Sequence, residues 1–231
     1  MTIRAVLFDF DGTLADSFAS ITASTNHVRG IYGLPAIPES TVREHVGLGL
    51  ANLMETLAPQ ANTADAVAAY HAHHPSVMAA GTKLFPGVRE TVIELHSRGY
   101  LLAVCSNKAV CFTKQLVKDL GLNEYFPVVL GPEDVGKAKP DPAMLFEGVK
   151  RLGTTVAESV YIGDMAVDVH TAKAAGMRVW LVPGGATGQE SPTAAGPDRT
   201  LKAFADILNF VTCDNALSQN WEYVHGVGDL W

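Results

Sequence analysis

An α/β fold, a parallel sheet covered by helices on both faces and interrupted once by an all-helical insertion, is the architecture this sequence predicts. Three observations carry the expectation. Short apolar runs rich in branched residues recur at 3–8, 101–105, 128–130, 159–162 and 178–182, each the length of a buried strand. From residue 88 onward these runs are separated by segments of helical length, and strands joined through helical crossovers pair in parallel. Between the first run and the second, residues 16–82 read as helix after helix with no strand. The core is therefore Rossmann-like, and ligands in such sheets bind at the carboxyl ends of the strands.

The first run, 3–8, ends abruptly in Asp9-Phe10-Asp11-Gly12-Thr13. Phe18, Ile21, Thr22, Val28 and Ile31 then share one helical face, with Asp16 or Ser17 as N-cap, until Gly33, Pro35 and Pro38 break the pattern. A second helix starts near Glu39, Gly47 and Gly49 interrupt it, and another begins around Leu48; residues 64–78 read as an alanine-rich helix. The block ends at Gly81-Thr82, and residues 83–87, Lys-Leu-Phe-Pro-Gly, have the composition of a hinge. Connections near 12–17 and 81–86 imply an insertion, dividing the chain into a core of 1–15 and 83–211, a helical cap of 16–82 and a tail of 212–231. Helices are expected at 88–98, 108–120, 143–152 and 166–175, a Gly/Pro/Ser loop at 183–197 and a closing helix at 201–211. The tail has two tryptophans and no clear period.

Composition narrows the function. With 48% apolar and 18% charged residues the chain is ordinarily globular. A formal net charge of −7 without a lysine or arginine cluster argues against nucleic acid or an anionic membrane as partner. No apolar run reaches membrane-spanning length, and the N-terminus enters a core strand instead of a signal peptide, so a cytoplasmic enzyme is expected. Cys105, Cys111 and Cys213 lack paired metal-ligand spacing and are expected to be reduced, buried small residues.

Each strand ends in a useful polar group. Alternation along a strand can turn Asp9 and Asp11 to one side. Two ionised carboxylates about 4 Å apart repel by roughly 4 kcal/mol at an effective dielectric near 20, so a cation or a shared proton is expected between them. The other reading of the pair is a turn that caps the next helix. Gly12 lets backbone approach a ligand and Thr13 adds a hydroxyl. The second strand ends in Ser106-Asn107-Lys108, where Ser106 is placed either to donate to an anion with the amides of the following helix or simply to cap that helix. After the third strand, Lys139 precedes a proline and is confined to extended backbone, whereas Lys137 is less constrained and solvated. The fourth ends in Gly163-Asp164 and, four residues on, Asp168. Four acids and a lysine converging on one point suit a divalent metal and a phosphate, and oxygen-only ligation suits Mg²⁺ over zinc. Two patterns are decoys. Residues 131–138 nearly spell a nucleotide-binding P-loop but end in Ala138, which has no hydroxyl for a metal. His71, His73 and His74 have no acid nearby and read as a solvated helix face.

DFDGTLADS from Asp9, Ser106, KPDP from Lys139 and GDMAVD from Gly163, in that order, resemble the four motifs of the haloacid dehalogenase superfamily of aspartate-nucleophile phosphohydrolases. The likeness spans residues 3–210, and the helical insertion resembles the mobile cap of its phosphoglycolate phosphatase-like branch. The resemblance implies that Asp9 is the nucleophile and Asp11 the general acid and base. It also implies that the Asp9 carboxylate, the Asp11 carbonyl and Asp164 ligate Mg²⁺ with Asp168 outside them, and that Thr13, Ser106, Asn107 and Lys139 hold the transferring phosphoryl group. Residues 1–82 contain no lysine, which excludes the Schiff-base route of phosphonate-cleaving relatives. Asp11, absent from the dehalogenase branch, argues against dehalogenation. What remains is hydrolysis of a phosphate ester, or transfer as in the β-phosphoglucomutase-like sugar-phosphate mutases. In the cap, Arg43, His45 and the amides around Gly47, Leu48 and Gly49 suit a small carboxylate, which puts phosphoglycolate ahead of sugar phosphates, nucleotides and pyrophosphate; Arg43 as an ordinary surface residue is the alternative. The expected partner is a small phosphorylated metabolite, with the chain a monomer or homodimer.

Overall fold

The first apolar run forms β1, Ala5–Phe8, in the computed structural model, which describes residues 2–184 and 190–211. After a tight turn come β2 (Ala15–Asp16), then α1 (Phe18–Ile31), α2 (Glu39–Arg43), α3 (Leu50–Leu57) and α4 (Thr63–His73). The chain returns through β3 (Lys83–Leu84), α5 (Val88–Ser97), β4 (Leu101–Cys105), α6 (Val110–Asp119), β5 (Val128–Leu130) and the one-turn α7 (Pro132–Val135). It ends with α8 (Ala143–Leu152), β6 (Ser159–Gly163), α9 (Ala166–Ala175), β7 (Arg178–Leu181), β8 (Arg199–Thr200) and α10 (Ile207–Phe210).

Six of these strands make one parallel sheet in the order β5-β4-β1-β6-β7-β8. β1 lies inside it, and Ala5, Val6, Leu7 and Phe8 are all fully buried. Val6 and Phe8 join a core that includes Leu95 of α5, Leu116 of α6, Phe204 and Ile207, whereas Ala5 and Leu7 pack with Met144 and Leu145 of α8 and Val169 of α9. Side chains alternate across a strand, so an uninterrupted apolar run is what a strand covered on both faces requires. Phe8 alone, between Phe126 and Phe204, contributes about 1.5–3 kcal/mol by burial. On the other face, a Cβ at Gly148 would come within 2.9 Å of Leu7, so glycine lets α8 lie against the sheet.

Helices α1 to α4 stand apart from this order, between β2 and β3, which pair antiparallel through Ala15 with Leu84 and Asp16 with Lys83. The two connections to the helical segment therefore cross at one place. No helix among the described residues is long and apolar enough to cross a membrane.

Several sequence expectations are corrected here. The helix expected from about Leu48 begins at Leu50, because Gly47 and Gly49 have φ of 117° and 89°, outside helical backbone. The helix expected over 64–78 ends at His73, where Pro75 turns the chain into a 3₁₀ turn, His74–Ser76. Residues 108 and 109 precede α6, so Ser106-Asn107-Lys108 form a loop at the sheet edge. The failed P-loop contains α7. The closing helix expected over 201–211 is instead a 3₁₀ turn at Phe204–Asp206 and the single turn α10, just after β8. That segment follows the sheet: Leu201 donates to the Leu181 carbonyl, and Phe204 stacks on Phe8. Cys105 is buried and pushed up to about 12 by that burial, but Cys111 is exposed. The tail question lies outside the described residues.

Candidate active site

The residues at the carboxyl ends of β1, β4 and β6 converge. Asp9 continues β1, its amide bonded to the Ile162 carbonyl of β6, and its side chain is buried. The Lys139 ammonium lies 2.9 Å from Asp9 Oδ1 and 2.7 Å from Asp168 Oδ1. Burial pulls this ammonium down, but Asp168 and Asp9 more than offset it, so Lys139 is held above the ordinary lysine range and stays charged. Tyr161 donates to the Cys105 carbonyl at 2.7 Å and accepts from Lys139 at 3.0 Å, which fixes the lysine from below.

Asp168 is saturated by protein donors. Its Oδ1 takes Lys139, and its Oδ2 takes the amides of Asp164 and Met165 at 3.1 and 3.0 Å. It therefore shapes the turn that presents Asp164. Asp164 accepts from Thr13 at 2.7 Å and is approached by bare backbone: a Cβ at Gly12 or Gly184 would lie 2.3 Å from Asp164 Oδ2. Gly12, with φ 88°, is required both for this contact and for its turn.

Asp9, Asp164 and Asp168 each bring one carboxylate oxygen within 4.8 Å of the others, all three buried. Burial, with Asp168 and Asp9 alongside, pushes the Asp164 carboxyl well above the usual range, and burial raises Asp168 as well although Lys139 opposes it. The contact of Asp9 Oδ1 with Lys139 falls outside hydrogen-bond angles, so that buried oxygen has no directed donor. Three carboxylates against one ammonium, with an unsatisfied oxygen, fit a divalent cation held by oxygen ligands. Asp11's carboxylate is outside this cluster.

Asp9 and Asp11, between which a cation or a shared proton is expected, have different lysine partners. Asp9 has Lys139, while Asp11 has Lys108, whose ammonium is 3.2 Å from both Asp11 oxygens, and accepts from Ser17 as well. Lys108 lines the cleft and was not singled out from the sequence; the only signal was a lysine at a strand-to-helix loop, which looks like the first residue of a helix.

The phosphate-binding set is brought together unevenly. Ser106 lines the cleft over Asp9, and its oxygen accepts the Lys108 amide at 3.4 Å, leaving the hydroxyl proton without an acceptor among the described residues. Thr13 is spent on Asp164. Asn107 lines the cleft but its amide is consumed: it accepts from the Lys139 amide and donates to the carbonyls of Lys139 and Gly47. Lys137 is exposed and paired with Asp141, in agreement with its solvated reading.

The cap assignments change more. Arg43 stacks 4.0 Å over Phe18 and pairs with Asp16 and Glu39, and it does not line the cleft over Asp9. His45 and Leu48 line a different cavity, toward Met165 and His170. Gly47 and Gly49 do reach the cleft, beside Leu50, Leu53 and Tyr70. The histidines are not a solvated face: His74 is fully buried against Tyr70 and Phe112 and bonded to Ser24, and His73 stacks 4.1 Å from His27.

Residues 6–182 match the model of the haloacid dehalogenase-like hydrolases. The chain belongs to that family. It is a phosphatase of the haloacid dehalogenase-like kind, as its relatives are. It is 38% identical over 200 residues to a plasmid-borne phosphoglycolate phosphatase of Cupriavidus necator, covering 84% of this chain and 87% of the relative. It is 31% identical over 215 residues to pyrophosphatase PpaX of Halalkalibacterium halodurans, covering 91% and 98%. Among solved structures, a protein from Haemophilus somnus given as a predicted phosphoglycolate phosphatase superposes with TM-score 0.83 at 25% identity, over 92% of this chain and 99% of that one. The fold of a haloacid dehalogenase-like hydrolase thus accounts for the parallel sheet and for the motifs at its edge.

Proposed function

We propose that this phosphatase is Mg²⁺-dependent, hydrolyses a small phosphorylated metabolite through an aspartyl-phosphate on Asp9, and takes phosphoglycolate as its leading substrate. The observation that carries the reading is the buried cluster of Asp9, Asp164, Asp168 and Lys139 at the carboxyl edge of the sheet. Asp9 and Asp164, with the Asp11 carbonyl, would hold the ion, which neutralises charge on the phosphoryl group when bound. Asp168 keeps Asp164 and Lys139 in place.

The chain's own residues supply the rest. An anionic nucleophile approaching an anionic ester needs fixed positive charge, and Lys139 provides it without reorganisation because Tyr161 and Asp168 lock it. The Asp9 carboxylate forms the new oxygen–phosphorus bond as the ester bond breaks, and Asp11 gives its proton to the departing alkoxide. Asp11 then takes a proton from the water that attacks phosphorus, releasing phosphate and restoring Asp9. Ser106, with its free hydroxyl proton, donates to a phosphoryl oxygen. Phosphoglycolate leads because of the relatives' names, and pyrophosphate is a second reading because of the 31% identity to PpaX.

The test is phosphate release from phosphoglycolate, sugar phosphates, nucleotides and pyrophosphate, with Mg²⁺ and with a chelator. The expected result is metal-dependent release greatest on phosphoglycolate. A preference for another ester would overturn the substrate, and release unaffected by chelation would overturn the metal.

A further inference from the structure

Asp9 and Asp11 open onto a cleft between the helical segment and the sheet edge, where the leaving group of a substrate bound at Asp9 would lie. Ile21, Val46, Leu50, Leu53 and Phe112 make much of its wall apolar. Its lining includes a single lysine or arginine, Lys108, whose side chain is only 6% exposed. An ammonium carries three N–H donors, and the two Asp11 oxygens account for two of them, leaving the third without an acceptor among the described residues. Opposite, on α4, Tyr70 also lines the cleft; its hydroxyl has no hydrogen-bond partner among the described residues although the residue is 4% exposed. The other polar groups are committed: Asp9 and Ser106 to the phosphoryl group and Asn107 to backbone. Arg43 is held away by Asp16 and Glu39.

We infer that Lys108 from the core and Tyr70 from the cap form the subsite for the non-transferred end of the substrate, and that this end is a carboxylate a few bonds from the ester oxygen. The inference rests on the phosphatase reading above and deepens it by naming what selects the substrate. A buried ammonium with one open donor, in the same cleft as an open phenol, recruits an anion more strongly than a neutral hydroxyl, because charge-assisted hydrogen bonds in a dry site are roughly twice as strong as neutral ones. Position sets the reach. Asp11 must come within about 3 Å of the leaving oxygen to protonate it, and Lys108 is 3.2 Å from Asp11. The Lys108 ammonium therefore lies about 6 Å or less from the ester oxygen, within reach of the carboxylate of a two- or three-carbon acid.

The experiment compares kcat/KM on phosphoglycolate and 3-phosphoglycerate, whose leaving groups carry a carboxylate, with kcat/KM on ethyl phosphate and glycerol phosphate, whose leaving groups do not. Wild type, Lys108→Met and Tyr70→Phe are measured side by side. Lys108→Met lowers turnover of every ester, because Asp11 loses its partner, but the ratio of acid to neutral substrates falls a further tenfold or so, chiefly through KM, the size of a lost charged hydrogen bond. Tyr70→Phe lowers the same ratio by a smaller factor. A variant that folds incompletely scales both substrate classes alike, so the ratio is immune to that loss. An unchanged ratio in Lys108→Met overturns the subsite, as does a wild type with no preference for acid-bearing esters. A wild type that prefers an acid-bearing ester other than phosphoglycolate, with that preference lost in Lys108→Met, overturns the substrate named above and supports the subsite.

Discussion

At the residue scale the site is a set of carboxylates with unequal partners: Asp9 and Asp168 share Lys139, Asp11 has Lys108, and Asp164 accepts from Thr13. Asp9→Asn removes the attacking oxygen without changing volume, so phosphate release should fall at least about a thousandfold, while thermal melting stays within a few degrees of wild type. Melting and release measured on the same preparation check both. Arg43 makes an opposite forecast. Its guanidinium bridges two half-exposed carboxylates and covers Phe18, so Arg43→Ala should cost about 1 kcal/mol or less after solvent screening; denaturant unfolding gives the cost, and KM for anionic substrates should not move. Sequence made Arg43 attractive because a lone arginine beside a glycine loop resembles an anion site. Nothing in the sequence reveals that Asp16, twenty-seven positions earlier, already claims it. Asp9 and Asp164 were legible because a charged residue at the end of an apolar run has no structural use there, and Lys139 because the proline after it confines its backbone; Lys108 was not, because lysine is common wherever a helix is expected to start.

At the element scale, strands were easier to read than helix ends. Four of the buried strands carry branched runs with no competing interpretation, whereas α4 stops at His73, ahead of Pro75, and the histidines at its end look alike in sequence. His74 is fully buried and pushed down to about 3 by burial, by Lys108 and by His71 and His73. Its Nε2 has no hydrogen-bond partner. Folded, it resists a proton that the unfolded chain accepts at about 6.5. The stability it confers is therefore complete above pH 6.5 and is lost as pH falls from there towards 3, with a slope of about 1.4 kcal/mol per pH unit for the one proton. His74→Asn can still bond Ser24 but cannot titrate. The difference in unfolding free energy between wild type and this variant should shrink with that slope between pH 6 and 4; a pH-independent difference would show that His74 is not the group responsible.

At the scale of the whole molecule, parallel pairing and the clustering at one sheet edge follow from alternating helix and strand, and this much the sequence discloses; the order of the strands and how the helical segment meets the sheet depend on contacts between residues far apart, which periodicity cannot encode. The same long-range clustering ties global stability to metal. Asp164, raised by burial and by its acidic neighbours, destabilises the metal-free fold as pH rises from its unfolded value near 3.8 through its folded one. Mg²⁺ should reverse this, adding about 2.7 kcal/mol at a hundredfold excess over its Kd, a rise of several degrees in Tm for a chain of this size. Asp164→Asn should abolish the rise and melt no lower than wild type in chelator, which calorimetry with and without Mg²⁺ would test. The side chain of Asn107 sets the terms on which the two layers can part. Of its three hydrogen bonds, two hold the backbone of Lys139 and one holds the Gly47 carbonyl of the helical segment. Separation would sacrifice only the last, so the lysine keeps its aim while the doorway stands open, and each new substrate would meet a cation already in position instead of one that must be rebuilt every cycle.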